Sequence, residues 1–384
     1  MAEPLNVVYL IDYFHRTGGT ERHLAHLVTL LPRAEFNCTI VAFDLGDNAL
    51  LDLVRAHGVR VVHLPVQREY TWNGISRAWQ LWRLLRASNV DIVQTFHQKS
   101  DTYGAVIAKL AGVRRMISSK RDTGETRRPR DVFLNRRLRG LFDRTIVVAE
   151  AVGRAVIAND RLDARRVVRI YNGVDAQAFV PPTPQQRGAA RAQLGFSDGD
   201  FVVGTVAGFR PEKNHDVFFD GIHKALRTIA QLKVIAAGGG PLFEHYQQYC
   251  ERLGLAERVI FTGAIHNVQR YLHAMDVGCL VPGGNEGFSN AVLEKMAMGL
   301  PMIVTDVGGN AEAVLEGDNG FVIPPRDAAA FATALERMHA DPARTARMGQ
   351  RSRQRVEEKY SLDGMWRAHA QLYRSLYPPR DPGR

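Results

Sequence analysis

Cysteine is scarce in this chain of 384 residues, and Cys38, Cys250 and Cys279 are scattered along it. An odd number with no C-x-x-C spacing excludes a disulfide framework and fits a reducing compartment. Long apolar runs are missing as well. No stretch approaches the roughly 18 residues that span a bilayer. The N-terminal MAEPLNVVYLIDYF has no basic leader and no cleavage site, so the expected location is cytoplasmic. No G-x-G-x-x-G opens a strand-to-helix turn, which argues against a dinucleotide oxidoreductase. His23 and His26 stand at i, i+3 without the further ligands a metal needs, and read as helix-surface residues. No internal repeat is present.

What remains is a soluble globular composition, 45% hydrophobic and 23% charged, long enough for two domains with separate cores. Strand-like runs at 5–11, 38–43, 59–64, 90–95, 115–118, 145–148 and 167–171 alternate with helical stretches such as 20–31, 49–56 and 75–86. A second series follows at 201–206, 232–237, 259–262, 277–281 and 301–305. Such alternation predicts parallel sheets with helices on both faces, an α/β chain. Residues 176–200, rich in Pro, Gln, Ala and Gly, read as a linker with a short helix.

The net charge of +10 is unevenly placed. Residues 114–144 hold eleven Arg and Lys against four acids, seven net charges in one segment. A concentrated basic face attracts nucleic acid, anionic lipid or an anionic substrate, and charge alone does not choose among them. The segment has no aromatic platform and no nucleic-acid motif, so nucleic acid is not expected. The 131–142 helix sets Leu134, Leu138 and Leu141 along one face, and with Phe133 or Phe142 these are expected to add to an anionic membrane surface.

Residues 280–312 organise the rest. A buried strand leads into the loop PGGNEGF, a helix from about Ser289 to Met298 is stopped by Gly299, and a second strand follows. Ligands on such units gather where loops leave the strand ends. The helix start at Ser289 and Asn290 offers backbone N–H groups to an anion. Glu286 in the loop and Glu294 in the helix flank that position. Arg210 and Lys213, in the loop after the 201–206 strand, are suited to neutralising a pyrophosphate. Gly18 and Gly19, at the first strand-to-helix turn, let backbone amides approach a ligand.

EGFSNAVLE closely resembles the E-x7-E signature of family 4 glycosyltransferases, the retaining group with the GT-B fold. GGTE at 18–21, YNGVD at 171–175, GGGPL at 238–242 and TDVGGNAE at 305–312 resemble further hallmarks of that family. The resemblance runs from Gly18 to about Tyr377 and implies two Rossmann-like domains with parallel sheets facing across a cleft. Residues 1–175 would bind the acceptor and 176–361 the nucleotide sugar. A helix within 362–384 would pack back on the first domain, ahead of a disordered tail.

The resemblance gives Glu286 the donor sugar and Glu294 the ribose. Lys213 and Arg210 take the diphosphate, although the family's arginine position is Gly208 here. His97, one residue past the usual place, is the candidate at the reaction centre. Gly18, Gly19, Gly239, Pro241, Phe288, Ser289 and Asn290 are expected around the nucleotide, with AIHNV at 264–268 near the base.

The implied reaction moves a sugar, with retention, from a UDP- or GDP-linked donor to a glycan or lipid-linked acceptor. Cell-surface polysaccharide or glycolipid synthesis is the expected setting. No cofactor and no metal is expected, because cationic side chains replace a divalent ion. Two other classes fit the same motifs. A GT-B nucleotide-sugar epimerase would release no nucleotide in response to an acceptor. A non-catalytic binding subunit of a glycan-assembly complex would bind donor without turnover.

Overall fold

The computed structural model describes residues 3–15, 18–69, 71–265 and 267–377. Two compact units emerge, 1–172 joined by 362–384, and 173–361. The tail from Pro378 and His266 of the AIHNV stretch lie outside the described residues.

The first unit is built on seven strands: β1 (Leu5–Ile11), β2 (Phe36–Ala42), β3 (Arg60–His63), β4 (Ile92–Phe96), β5 (Arg115–Lys120), β6 (Arg144–Val147) and β7 (Val167–Arg169). They pair in parallel in the order β3-β2-β1-β4-β5-β6-β7. β1 is buried on both faces from Val7 to Ile11, which is why LNVVYLI is continuously apolar rather than alternating. Helix Gly19–Leu30 covers one face beside helix Leu362–Leu376. The latter buries Met365, Ala370, Leu372 and Tyr373 in the core around β1. Its Tyr373 hydroxyl donates to Gln94 Oε1 at 2.5 Å.

The second unit repeats the plan with six strands: β8 (Phe201–Val206), β9 (Leu232–Ala237), β10 (Val259–Phe261), β11 (Val277–Leu280), β12 (Met302–Thr305) and β13 (Gly320–Ile323). Their order is β10-β9-β8-β11-β12-β13, again all parallel. The short β13 was not anticipated from sequence. The unit boundary falls after Asn172, three residues before the expected one.

Two surface expectations need correcting. His23 is buried, its ring 5.2 Å from that of His369, because the returning helix covers the side of Gly19–Leu30 that local pattern leaves exposed. In the 131–142 stretch Leu134, Leu138 and Leu141 are half-buried and Phe142 is buried, so the leucine face turns inward. Phe133 stays at the surface, 55% exposed.

Three buried histidines, His23, His215 and His369, and the half-buried His97 make stability depend on acid. Burial holds His23 well below its ordinary pKa and presses His97, His215 and His369 down to about 4 each. The unfolded chain binds protons near pH 6.5 that the folded chain refuses, so stability is full above that value and falls as pH drops toward 4. Asp12, raised to about 6 by burial, partly opposes this. Urea unfolding midpoints should therefore fall between pH 7 and pH 4.5, by on the order of several kcal/mol in stability. His369→Leu should flatten the slope.

Candidate active site

In a doubly wound sheet the crevice opens where two neighbouring strands send their connections to opposite faces. In the second unit that point lies between β8 and β11. The loop after β8 is pinned from one side by the glycine turn after β9. Phe209 N–H donates to the Gly239 carbonyl at 2.9 Å, and Leu242 N–H to the Phe209 carbonyl at 3.1 Å. Gly240 has φ +152°, and a Cβ there would stand 2.5 Å from the Phe209 carbonyl oxygen. Gly239 and Pro241 therefore sit on the wall of the Arg210 loop, and their turn admits no side chain at its tightest point.

Arg210 starts a single 3-10 turn, Pro211–Lys213, and Asn214 at φ +50° reverses the chain into helix His215–Ala225. Asparagine tolerates that left-handed conformation better than most residues. The Arg210 side chain is exposed and has no ion-pair partner among the described residues. Lys213 Nζ donates to Glu286 Oε2 at 2.5 Å across the switch point. Glu286 is presented by the loop after β11, again beside a left-handed asparagine, Asn285 at φ +48°.

Three ties hold that loop. Gly283 N–H reaches the Glu212 carbonyl at 3.0 Å, and Thr305 Oγ1 the Pro282 carbonyl at 2.8 Å. Gly309 N–H reaches the Gly287 carbonyl at 2.6 Å. Gly308 has φ +59°, and its missing Cβ would stand 2.2 Å from the Glu286 carbonyl oxygen. The glycine pair at 308–309 is thus the cradle on which Glu286 rests.

Helix Asn290–Ala297 follows, with Ser289 as its N-cap and no side-chain bond from that serine. Its first-turn amides lack intrahelical acceptors, the usual basis of an anion site. Glu294 is 6% exposed. Phe288 buries its ring against Tyr360, 5.2 Å between centroids, so this residue anchors the loop by packing.

Lys295 escaped sequence reasoning altogether. It is fully buried, and Nζ donates to the Ala291 carbonyl at 3.2 Å. Burial presses its pKa down to about 8; Cys279 and Glu294 oppose that, and Lys213 adds to it. Next to Glu294 it is a third cation, after Arg210 and Lys213, close to the same crevice. A lysine after a glutamate in a short helix normally reads as a solvated charge. Its burial follows from a helix covered on all sides from Val292 to Ala297.

The first unit has its own switch point between β1 and β4. Gly18 is the N-cap of helix Gly19–Leu30 in extended backbone, and Arg16 and Thr17 before it lie outside the described residues. His97 leaves β4 at φ +75°, a costly conformation for a histidine and one that clusters at functional sites. Its ring lies 4.9 Å from that of Tyr13. Its Nδ1 is buried without a hydrogen-bond partner. Asp12 fixes the start of the next helical turn by accepting from Lys99 N–H at 2.8 Å and Ser100 N–H at 2.7 Å.

Gly18 and His97 thus fall at the switch point of the first unit, and Arg210, Lys213, Glu286 and Glu294 around that of the second. Gly239 and Pro241 lie in the neighbouring turn after β9, and Lys213 and Glu286 meet directly. Among the described residues no group of three or more His, Cys, Asp or Glu is placed to hold a metal. No helix among them is long and apolar enough to cross a membrane.

Comparison with known proteins gives this arrangement a family. A model described as Glycosyltransferase Family 4 matches residues 17–178, and one described as Glycosyl transferases group 1 matches 200–341. The GDP-mannose-dependent alpha-(1-6)-phosphatidylinositol monomannoside mannosyltransferase of Mycolicibacterium smegmatis is 28% identical over 88% of this chain and 90% of its own. Bacillus subtilis EpsD is 31% identical, but the match spans about half of it, 47% of either chain. The crystal structure of Anabaena HepE in complex with UDP superimposes with a TM-score of 0.86 at 21% identity, over 97% of this chain and 100% of that one. With parallel sheets of seven and six strands, the architecture is the α/β GT-B fold of two Rossmann-like domains. Matched by both models, the chain belongs to family 4 of the glycosyltransferases, the group 1 glycosyl transferases.

Proposed function

We propose that the protein is a retaining glycosyltransferase that moves a sugar from a UDP- or GDP-linked donor to a glycan or lipid-linked acceptor in cell-surface polysaccharide or glycolipid synthesis. The observation that carries this is the Lys213–Glu286 pair across the β8/β11 switch point, with Glu294 on the helix that begins beside it. A relative whose name gives GDP-mannose and phosphatidylinositol monomannoside, and a structural neighbour holding UDP, support the substrate class.

In this reading Glu294 accepts from the ribose hydroxyls. The diphosphate lies on the Ser289–Asn290 helix start, and Lys213 and Arg210 stabilise its charge as the anomeric C–O bond breaks. Glu286, released from Lys213 by the arriving phosphates, orients the sugar. The acceptor oxygen enters on the face the phosphate leaves, and its proton passes to the leaving phosphate oxygen. His97, kept neutral at pH 7 by burial, is the first unit's candidate for the reaction centre.

The test is acceptor-dependent release of nucleoside diphosphate, with the product's anomeric configuration read by NMR. Donor consumption without release would point to an epimerase, and donor binding without turnover to a binding subunit. Activity is expected to survive EDTA with less than about a twofold change, since side-chain cations offset the diphosphate charge. Loss of activity in chelator with recovery on adding a divalent ion would contradict this.

A peripheral position on an anionic membrane, on the cytoplasmic face, belongs to the same reading. With the leucines of 131–142 turned inward, the apolar part of that surface is better sought on helix Trp72–Ala87. There Trp72, Ile75 and Trp79 are 88%, 59% and 56% exposed, in a helix with three arginines and no acid. Co-sedimentation with phosphatidylglycerol vesicles should fall in Trp72→Ser/Trp79→Ser and in Arg130→Glu/Arg137→Glu/Arg139→Glu. Equal pelleting of all three proteins would exclude both surfaces.

A further inference from the structure

The basic segment 114–144 is not one outward face. Three of its cations, Lys120, Arg121 and Arg127, turn into a cavity of about 180 Å³ at the carboxyl end of β4 and β5, with Tyr13, His97 and Gln98 on its wall. That volume holds roughly a dozen waters.

The wall also carries two carboxylates, Asp101 and Asp122, neither of them free, and Asp160 pairs with Arg127 beside it. Asp101 accepts from Thr95 Oγ1 at 2.5 Å, Ser118 Oγ at 2.9 Å and Lys120 Nζ at 2.6 Å. Asp160 takes Arg127 Nη1 at 3.0 and 2.8 Å on its two oxygens. Arg121 has no carboxylate within ion-pair distance among the described residues. Its Nη2 donates to the Asn172 amide oxygen at 2.6 Å, and its Nη1 is buried with no partner. Arg127 Nη2 is likewise buried with no partner. Guanidinium N–H groups left without an acceptor are costly, and phosphate oxygens suit their fork geometry.

We propose that this cavity is an anion subsite for the acceptor, in which Arg121 and Arg127 hold a phosphate monoester or phosphodiester carried by the molecule to be glycosylated. The proposal rests on the transferase reading, which puts the acceptor on the first unit and His97 near the reacting centre. It makes that acceptor a phosphorylated one, whether a soluble sugar phosphate or a lipid headgroup, rather than a neutral glycan.

Calorimetric titration of the full chain tests it with three probes: glucose 1-phosphate, dihexanoyl phosphatidylglycerol below its micelle concentration, and glucose. At least one phosphate probe should bind, and glucose should not. Binding of glucose 1-phosphate alone identifies a soluble phosphate, and of the phosphatidylglycerol alone a lipid headgroup. Arg121→Gln should weaken that binding about tenfold or more. Should Arg121→Gln fail to fold, Gln98→Glu carries the test, since it puts a negative charge on the cavity wall at nearly constant shape. Phosphate probes binding no better than glucose would overturn the subsite. So would folded Arg121→Gln, or Gln98→Glu, binding as tightly as wild type. Nucleoside diphosphate run alongside separates the two claims. Nucleotide binding without phosphate-probe binding sinks the subsite only, whereas Arg121-dependent probe binding without nucleotide binding keeps it and sinks the transferase reading.

Discussion

Lys213→Ala should lower kcat by about a hundredfold to a thousandfold, the usual range for removing one donor aimed at developing negative charge. Two things disappear together. In the proposed reading the departing diphosphate loses one of its cations, and Glu286, with a side chain only 14% exposed, loses the partner that now sits at 2.5 Å. An unpaired carboxylate in a partly buried loop is costly, so the loop after β11 should lose its set position. Lys213→Arg should recover part of the rate, because the charge returns without the same reach. The double variant Lys213→Ala/Glu286→Ala should be scarcely slower than Lys213→Ala alone, since groups that act as a unit are not additive. Steady-state kinetics on wild type, Lys213→Ala, Lys213→Arg, Glu286→Ala and the double variant decide this; losses that simply multiply would mean that the two residues work independently.

The two glutamates should separate in the kinetics. Glu294→Ala is expected to raise KM for the donor about ten- to a hundredfold with a smaller change in kcat, the cost of one charged hydrogen-bond acceptor. Glu286→Ala should do the reverse, slowing turnover with donor binding nearly intact. The argument is positional. Glu294 is 6% exposed on a helix packed on all sides, a rigid platform for a ground-state contact. Glu286 is held by Lys213, which in the proposed reading also engages the incoming diphosphate, so its alignment would be completed only with substrate bound. Small, equal effects from both replacements on both constants would remove the assignment.

Much of this arrangement could be read from local letters. The 201–206 and 232–237 strands fall where β8 and β9 stand, because parallel strands buried on both faces are unbroken apolar runs. Glu286, Glu294 and Lys213 are singled out by the loops and helix that carry them together with the resemblance to the family 4 signature, and the structure sets them around the β8/β11 switch point. Their pairing was not legible. Lys213 and Glu286 are 73 residues apart, and they meet because β11, not β9's other neighbour, lies beside β8. His23 failed for a similar reason: its cover comes from Leu362–Leu376, more than three hundred residues away. The basic segment misled differently. Composition counts charges but does not say which way they point, and Lys120, Arg121 and Arg127 point inward. The Gly308–Gly309 pair matched a familiar pattern, yet its reason, a Glu286 carbonyl oxygen that would stand 2.2 Å from any Cβ at 308, is visible only in three dimensions.

The most direct measurement is the melting temperature of the full chain with UDP, GDP and their sugar conjugates, in EDTA, for wild type and Glu294→Ala. A ligand that binds only the folded protein raises its midpoint by mass action. The account predicts that at least one nucleotide series stabilises wild type without a divalent ion, and that Glu294→Ala loses most of that shift while its unliganded midpoint stays close to wild type. No stabilisation by any uridine or guanosine diphosphate, or an equal shift in Glu294→Ala, would contradict a nucleotide-sugar site at the β8/β11 switch point.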